Sequence, residues 1–185
     1  LKRTALKACL NMSKAISNNE QIKRLILPSI LSLTSLTRFN VESDIEKVIL
    51  DCCLQIFYHI FNSVKNLSDT DEKKEIVNVI ISQGLIDLLI DVFNSYAKGG
   101  EKEGSFVEGR LKNISADCIK IIIKILEILS NMSWEVTSLL LNMNILKEID
   151  YILEVSSKNS LKNTSNSINS IQISEIISLL ISLFP

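Results

Sequence analysis

The chain has 185 residues and a formal net charge of -1, and 46% of its residues are hydrophobic although only 5% are aromatic. This length allows one continuous core of mainly aliphatic side chains. The near-zero charge argues against general nucleic-acid binding, and two prolines and five glycines are too few for the many turns of an all-β fold. Composition therefore predicts an all-α protein.

Hydrophobic periodicity and capping residues divide the chain into helices. In chain order, helices are predicted over residues 2–17, from Glu20, from Pro28, over residues 44–64 with Ser43 as the N-cap, over residues 71–82 and 85–97, after Ser115, Ser133 and Asn144 as N-caps, and over residues 170–184. Between them, the glycine-rich residues 98–112 are predicted to form a mobile loop. The serine- and asparagine-rich residues 156–169 are predicted to form a polar linker.

The segment IKIIIKILEILSNM, residues 119–132, is apolar enough to be a buried strand, a membrane helix or a core helix. Polar residues in and just before this segment recur at spacings of three and four, which place them on one helical stripe: Asp117, Lys120, Lys124, Glu127 and Asn131. A membrane helix needs about 20 apolar residues without such a stripe. We therefore predict a soluble helix buried over most of its circumference. Its predicted core positions are Ile122, Ile125, Leu126 and Leu129.

A pattern of three successive helices recurs along the chain. IVNVIISQGLIDLLIDVFN from Ile76 and VTSLLLNMNILKEIDYILE from Val136 align without a gap, and Gly84 then stands opposite Asn144 at a right-angled junction. LPSILSLTSL adds a third copy around Pro28. Such units predict a right-handed superhelical stack of the armadillo or HEAT kind, with about three to four repeats in a single domain over residues 1–185.

The aligned third helices predict a binding groove on the concave face of this stack. Two columns of side chains face solvent there: Ser32, Asp91 and Tyr151, and one turn further on Ser35, Asn94 and Glu154. Together they form a polar, mildly acidic surface with one aromatic anchor, which suits extended or basic peptide segments. An ordinary solvated helix face is the alternative interpretation.

Catalytic and metal-binding signatures are missing from the sequence. Cys9, Cys52, Cys53 and Cys118 have no metal-ligand spacing and lie in apolar helical patterns, so we interpret them as small core residues of an intracellular protein. Cys52 and His59 are separated by about 10 Å along one predicted helix, too far to share a zinc ion or a proton. No catalytic residue, metal or cofactor is predicted.

Four segments follow one another in an order that a known family shares. They are ALKACLNMSK at Ala5, residues 76–85, residues 113–153, and QISEIISLLISLFP at Gln172. Together they resemble the armadillo region of the ubiquitin-fusion-degradation HECT ubiquitin ligases, the group that includes KAKTUS of plants and the thyroid-receptor-interacting HECT ligase of animals.

The resemblance implies a non-catalytic fragment of a larger ligase, whose catalytic cysteine lies in a HECT domain outside this sequence. It implies protein or peptide substrates marked for degradation, ubiquitin-fused ones included, and contact with ubiquitin-conjugating machinery through the parent chain. It also implies a cytoplasmic or nuclear location, with neither nucleic acid nor a membrane as partner. An excised stack should expose apolar surface at its ends, so we expect some self-association.

A peptide-binding armadillo adaptor of the nuclear-import-receptor or catenin kind is the competing interpretation. Import receptors hold an extended basic peptide with Trp-x-x-x-Asn ladders on their third helices. In this sequence Trp134 follows Asn131 by three residues, at the start of a predicted second helix. The sequence therefore lacks that ladder.

Overall fold

The structure, a computed structural model, describes residues 44–66, 70–98, 116–161 and 173–184, together with Thr4, Lys7, Ala8, Leu10 and Asn11, which are helical. Within these ranges every regular element is an α-helix and none is a strand, so the predicted all-α class is confirmed. The helices are α1 (Asp44–Lys65), α2 (Thr70–Ser82), α3 (Leu85–Lys98), α4 (Ala116–Met132), α5 (Trp134–Asn142), α6 (Ile145–Leu161) and α7 (Ile173–Leu183).

Several predicted features lie outside the described residues. They are the helices from Glu20 and Pro28, the caps Ser43 and Ser115, the thiol of Cys9, residues 99–112 of the predicted loop and residues 162–169 of the predicted linker. Helix α6 continues through residues 156–161, where the sequence predicts linker. Extending an established helix costs little per residue even for polar side chains, which explains the extra turn.

The chain divides into two compact units, Leu1–Leu88 and Leu89–Pro185. In the first, α1 supplies an aromatic core in which the rings of Phe57 and Phe61 are stacked with their centroids 5.9 Å apart. Both rings are completely buried. The thiols of Cys52 and Cys53 are buried on the same helix, which confirms their predicted role as small core residues.

Gly84 and Asn144, which end α2 and α5, have the same left-handed backbone conformation, with φ of 65° and 59°. The backbone hydrogen bonds around them match as well: Gln83 N–H to Val79 O and Gly84 N–H to Ile81 O (3.0 Å each), and Met143 N–H to Leu139 O (3.0 Å) and Asn144 N–H to Leu141 O (3.1 Å). Between α2 and α3 the chain bends by 57°. The predicted right angle is therefore wrong, but the two junctions are equivalent.

Asn144 is not the extended N-cap that the sequence predicts, because its positive φ belongs to the left-handed end of α5. Ser133 by contrast is the predicted N-cap of α5, with an extended φ of -154° and a side chain that accepts a hydrogen bond from the Glu135 N–H. The Ser133 hydroxyl also donates to the Glu135 carboxylate. The two caps differ because Asn, unlike Ser, readily adopts the left-handed conformation.

The pattern of buried positions also repeats after 60 residues, which is the spacing between Gly84 and Asn144. Five aligned pairs are buried in both copies: Ile76 and Val136, Ile80 and Leu140, Leu85 and Ile145, Leu89 and Ile149, and Val92 and Ile152. The third helix of the second copy is less enclosed, since Leu146 is 38% exposed whereas its counterpart Ile86 is completely buried. The two segments thus share their junction and their inward-facing positions.

In the second unit, α4 packs against α7 and α5, and α5 packs against α6. The predicted core residues of α4, namely Ile122, Ile125, Leu126 and Leu129, are all completely buried, which confirms that prediction. Cys118 is buried on the same helix. Where α5 follows α4, the Thr137 hydroxyl donates a hydrogen bond to the Ser130 carbonyl at 3.3 Å.

The polar stripe of α4 is not entirely a solvated face, because α7 meets part of it. The ammonium of Lys124 lies 3.9 Å from a carboxylate oxygen of Glu175 on α7. One turn further on, the Ser178 hydroxyl donates to the Glu127 carboxylate at 2.9 Å. The stripe therefore also helps to seat α7 on α4.

No single helix in the described part of the chain has the length and apolarity to cross a membrane, although α2 and the first part of α3 meet that test jointly, as a bent pair.

Replacing Leu126 by alanine should lower the free energy of unfolding by roughly 2–5 kcal/mol, because the lost methyl groups leave a cavity in the core of α4. Lys120→Ala on the same helix is the control. Lys120 is half-buried and has an i,i+3 ion pair with Asp117 at 3.6 Å, so its loss should change stability by about 0.5 kcal/mol or less. Denaturant unfolding followed by circular dichroism measures both. Equal losses would contradict the assignment of the buried face.

The junction at Asn144 gives a second stability prediction. Asn144→Ala should cost about 1 kcal/mol because alanine is strained at positive φ, whereas Asn144→Gly should leave stability unchanged or raise it. Gly84→Ala should cost about 1–2 kcal/mol for the same reason. Asn142→Ala, at an exposed helical position of α5, is the control. Thermal unfolding would refute this explanation if glycine and alanine were equally damaging at position 144.

Candidate functional site

Four of the six predicted groove residues lie in described helices. Asp91 and Asn94 are on α3, and Tyr151 and Glu154 are on α6. Each pair is three residues apart, so its members lie on the same face of their helix one turn apart. Ser32 and Ser35 lie outside the described residues.

Exposure separates these four residues into two kinds. Asp91 and Glu154 are exposed, whereas Asn94 and Tyr151 are half-buried. The predicted solvent-facing columns are therefore correct for the two carboxylates only. A half-buried tyrosine has a ring already held by its neighbours, so it loses little side-chain entropy when a ligand packs against it.

Asn94 has an unusual environment for an amide. Its Oδ1 is buried and accepts no hydrogen bond within the part of the chain that the structure describes. An unsatisfied buried acceptor typically costs about 1–3 kcal/mol, and such groups in native proteins call for a structural or functional explanation. Because the oxygen is closed off from solvent, it is a feature of the packing around α3 and not a point of contact for a ligand.

Trp134 is the first residue of α5 and is 65% exposed. It follows the N-cap Ser133 and precedes Glu135, whose N–H is capped. The tryptophan is thus on a second helix, as the sequence predicts, and not on α3 or α6, where the four groove residues lie. It forms no part of the predicted columns.

The two residues considered for catalysis or metal binding, Cys52 and His59, differ in their exposure to solvent. Cys52 is buried on α1, and His59 is half-buried on the same helix with its ring edge-on to Tyr58, 5.5 Å between centroids. Within the described ranges, no group of three or more His, Cys, Asp or Glu residues is arranged to hold a metal ion.

One exposed feature was missed by the sequence interpretation. Ile177 and Ile181 on α7, and Phe184 directly after its end, are 48%, 66% and 61% exposed. Apolar residues occupy most positions of this helix, so periodicity alone does not distinguish its inner face from its outer face. The one usable signal is Glu175, the only charged residue of α7, but it lies beside α4 rather than on the exposed side.

Comparison with protein-family models, with curated proteins and with solved structures finds no match to this chain. The resemblance to HECT ligases therefore rests on the four segments and their order.

Removing the orphaned acceptor should not destabilise the fold. Asn94→Leu keeps the number and branching of the side-chain heavy atoms and replaces a buried oxygen without a hydrogen bond, so the free energy of unfolding should stay within about 0.5 kcal/mol or rise by up to about 2 kcal/mol. Asn78→Leu, at an exposed position of α2, controls for added hydrophobicity. A loss of more than about 1 kcal/mol in Asn94→Leu, measured by denaturant unfolding, would show that the amide supports the fold instead.

Proposed function

We propose that this chain is a non-catalytic, protein-binding part of an armadillo- or HEAT-like repeat scaffold. The observation that carries the proposal is the recurrence after 60 residues of one left-handed junction and one set of buried positions. Repeat scaffolds of this kind present successive third helices side by side, and ligands bind along the surface that they form.

The proposed ligand is an extended protein segment that carries basic side chains. Asp91 and Glu154 are exposed carboxylates that can pair with lysine or arginine. Tyr151 is the aromatic anchor, since tyrosine is among the residues that contribute most to binding at interfaces. The basic side chains and an apolar side chain of the ligand thus each have a matching group on α3 or α6.

The proposed parent is a HECT-type ubiquitin ligase in which this segment recruits degradation substrates in the cytoplasm or nucleus. Transfer of ubiquitin would take place in a catalytic domain outside this sequence. Support comes from the order of the four resembling segments, together with the all-helical structure of the described residues. In this role the segment provides binding and positioning.

A peptide adaptor of the nuclear-import kind is the second candidate. It would use the same exposed carboxylates for a basic peptide. An import receptor also carries the tryptophans of its ladders on third helices, whereas Trp134 begins α5. That placement favours the ligase scaffold over the import receptor.

Binding of labelled extended peptides with alternating lysine and apolar residues, measured by fluorescence anisotropy, tests the groove. Tyr151→Ala and Asp91→Lys should each weaken binding by at least about tenfold, equivalent to about 1.4 kcal/mol. The loss in Asp91→Lys should be larger at low salt, because exposed charges are screened at high salt.

Two matched variants are the controls for this experiment. Asp150→Lys makes the same change of charge at an exposed position beside Tyr151, and Trp134→Ala removes an exposed aromatic ring outside the groove. Both should bind like the unaltered chain. If Asp150→Lys weakens binding as much as Asp91→Lys, attraction to overall charge explains the binding, and the groove is wrong.

A further inference from the structure

One helix face is covered in the first copy of the repeated segment and uncovered in the second. On α3 its residues are at most 2% exposed, and they are Ile86, Ile90 and Phe93. A shift of 60 residues along the chain places the same positions of α6 at Leu146, Asp150 and Leu153. Leu146 is 38% exposed, Asp150 is exposed and Leu153 is half-buried. We call these three residues the uncovered face of α6.

The uncovered face is one side of its helix. Its members are separated by four and three residues, so they follow one another along the same side of α6. Successive residues of an α-helix are turned by about 100°, so Lys147 and Tyr151 are each turned by that angle from Leu146 and Asp150. The uncovered face therefore adjoins the polar column of Tyr151 without including it.

The first copy indicates what this kind of face is for. Both copies have the same left-handed junction and the same set of inward-facing buried positions, and the first copy packs this further face as well. The second copy keeps apolar side chains at two of the three positions, Leu146 and Leu153, although they are less enclosed there. We therefore interpret the uncovered face as a packing surface that awaits a partner.

Asp150, in the middle of this face, determines which partner fits. It stands where the first copy has the buried side chain of Ile90. A carboxylate that is covered by apolar groups loses its hydration at a large cost unless a cation pairs with it. A fitting partner thus presents one basic group to Asp150 and an apolar group on either side of it.

The same charge disfavours two other ways of covering the face. A second copy packed on it about a two-fold axis would bring the two Asp150 carboxylates together, and like charges placed opposite each other repel. A membrane surface rich in anionic lipids repels a carboxylate as well. Lys147 is turned toward the side of Tyr151, so it does not neutralise the middle of the face.

We propose that the uncovered face of α6 binds an amphipathic helix of a partner protein, in which one lysine or arginine lies between two apolar side chains. A helix laid alongside α6 repeats its anchors at i, i+4 and i+7, which matches the spacing of Leu146, Asp150 and Leu153. The proposal rests on the comparison of the two copies. It depends neither on the groove ligand nor on the HECT resemblance.

Labelled helical peptides, titrated with the full chain and followed by fluorescence anisotropy, test the proposal. The probe has leucine, lysine and leucine at i, i+4 and i+7 of one face and alanine and glutamine elsewhere, and a matched peptide has glutamate in place of the lysine. For so small a face we expect a dissociation constant on the order of 10–100 µM for the lysine peptide. The glutamate peptide should bind at least about fivefold more weakly.

A charge reversal identifies the carboxylate that reads the lysine. Asp150→Lys should reverse the preference, so that the glutamate peptide binds more tightly than the lysine peptide. Asp91→Lys makes the same change at an exposed position of α3 and should keep the original preference. If the two variants behave alike, or if the unaltered chain binds both peptides equally well, no cation is recognised by Asp150 and the proposal is wrong.

The apolar contact has its own matched pair of variants. Leu146→Ala should weaken binding of the lysine peptide by about fivefold, because the leucine loses its contact with the peptide. Trp134→Ala removes an exposed apolar side chain on α5 and should leave binding unchanged. Circular dichroism verifies that both variants keep their helices. Equal losses in both variants would contradict a specific contact at Leu146.

The remaining outcomes separate this face from the proposed groove and from other occupants. Asp150→Lys should lose the lysine-centred helix and keep the extended peptides of the groove, whereas Asp91→Lys should do the reverse, so either proposal can fail alone. A chain that binds neither helical peptide at millimolar concentration would refute the partner helix. Self-association of the unaltered chain that Leu146→Ala abolishes would assign the face to a second copy, and binding to neutral phospholipid vesicles with the same dependence would assign it to a lipid surface.

Discussion

The enclosure of α4 is the constraint on which the second unit depends. Isoleucine is only a moderate helix former because its branched side chain loses rotamer freedom, yet isoleucines fill much of this helix. Its stability must therefore come from packing, and α5 and α7 supply that packing. Hydrophobic burial alone leaves the register of two smooth aliphatic helices weakly defined. The polar contacts between Glu127 and Ser178 and between Lys124 and Glu175 specify it.

The sequence was sufficient wherever a feature is set by neighbouring residues. The inner positions of α4 were predicted correctly because charged residues mark its other side, and the N-cap at Ser133 was predicted because its side chain acts on the next turn. The junction at Gly84 was predicted because glycine tolerates positive φ. Local chemistry thus accounts for the described helices, for their boundaries to within a few residues except at the end of α6, and for the pairing of the two junctions.

Features set by distant residues could not be predicted in this way. Which side of α7 is exposed depends on which side packs against α4. The sequence of an almost entirely apolar helix does not indicate that side. The same contact between α4 and α7 covers part of the polar stripe of α4, which therefore lies at an interface and not in solvent. Asn94 shows a third limit, because its position on α3 was predicted, but the burial of its unpaired Oδ1 depends on surroundings that periodicity does not describe.

The distribution of charge separates two kinds of surface within the second unit. On α3 and α6 the carboxylates of Asp91 and Glu154 are exposed, so their interactions with a ligand are screened by salt. On α7 the one carboxylate is largely covered beside Lys124, and the exposed side is apolar, so association there is governed by the area removed from water. Because the two surfaces lie on different helices and depend on different forces, a change at one need not alter the other. A substitution on the exposed side of α7 can therefore change that apolar surface while the polar faces of α3 and α6 keep their chemistry.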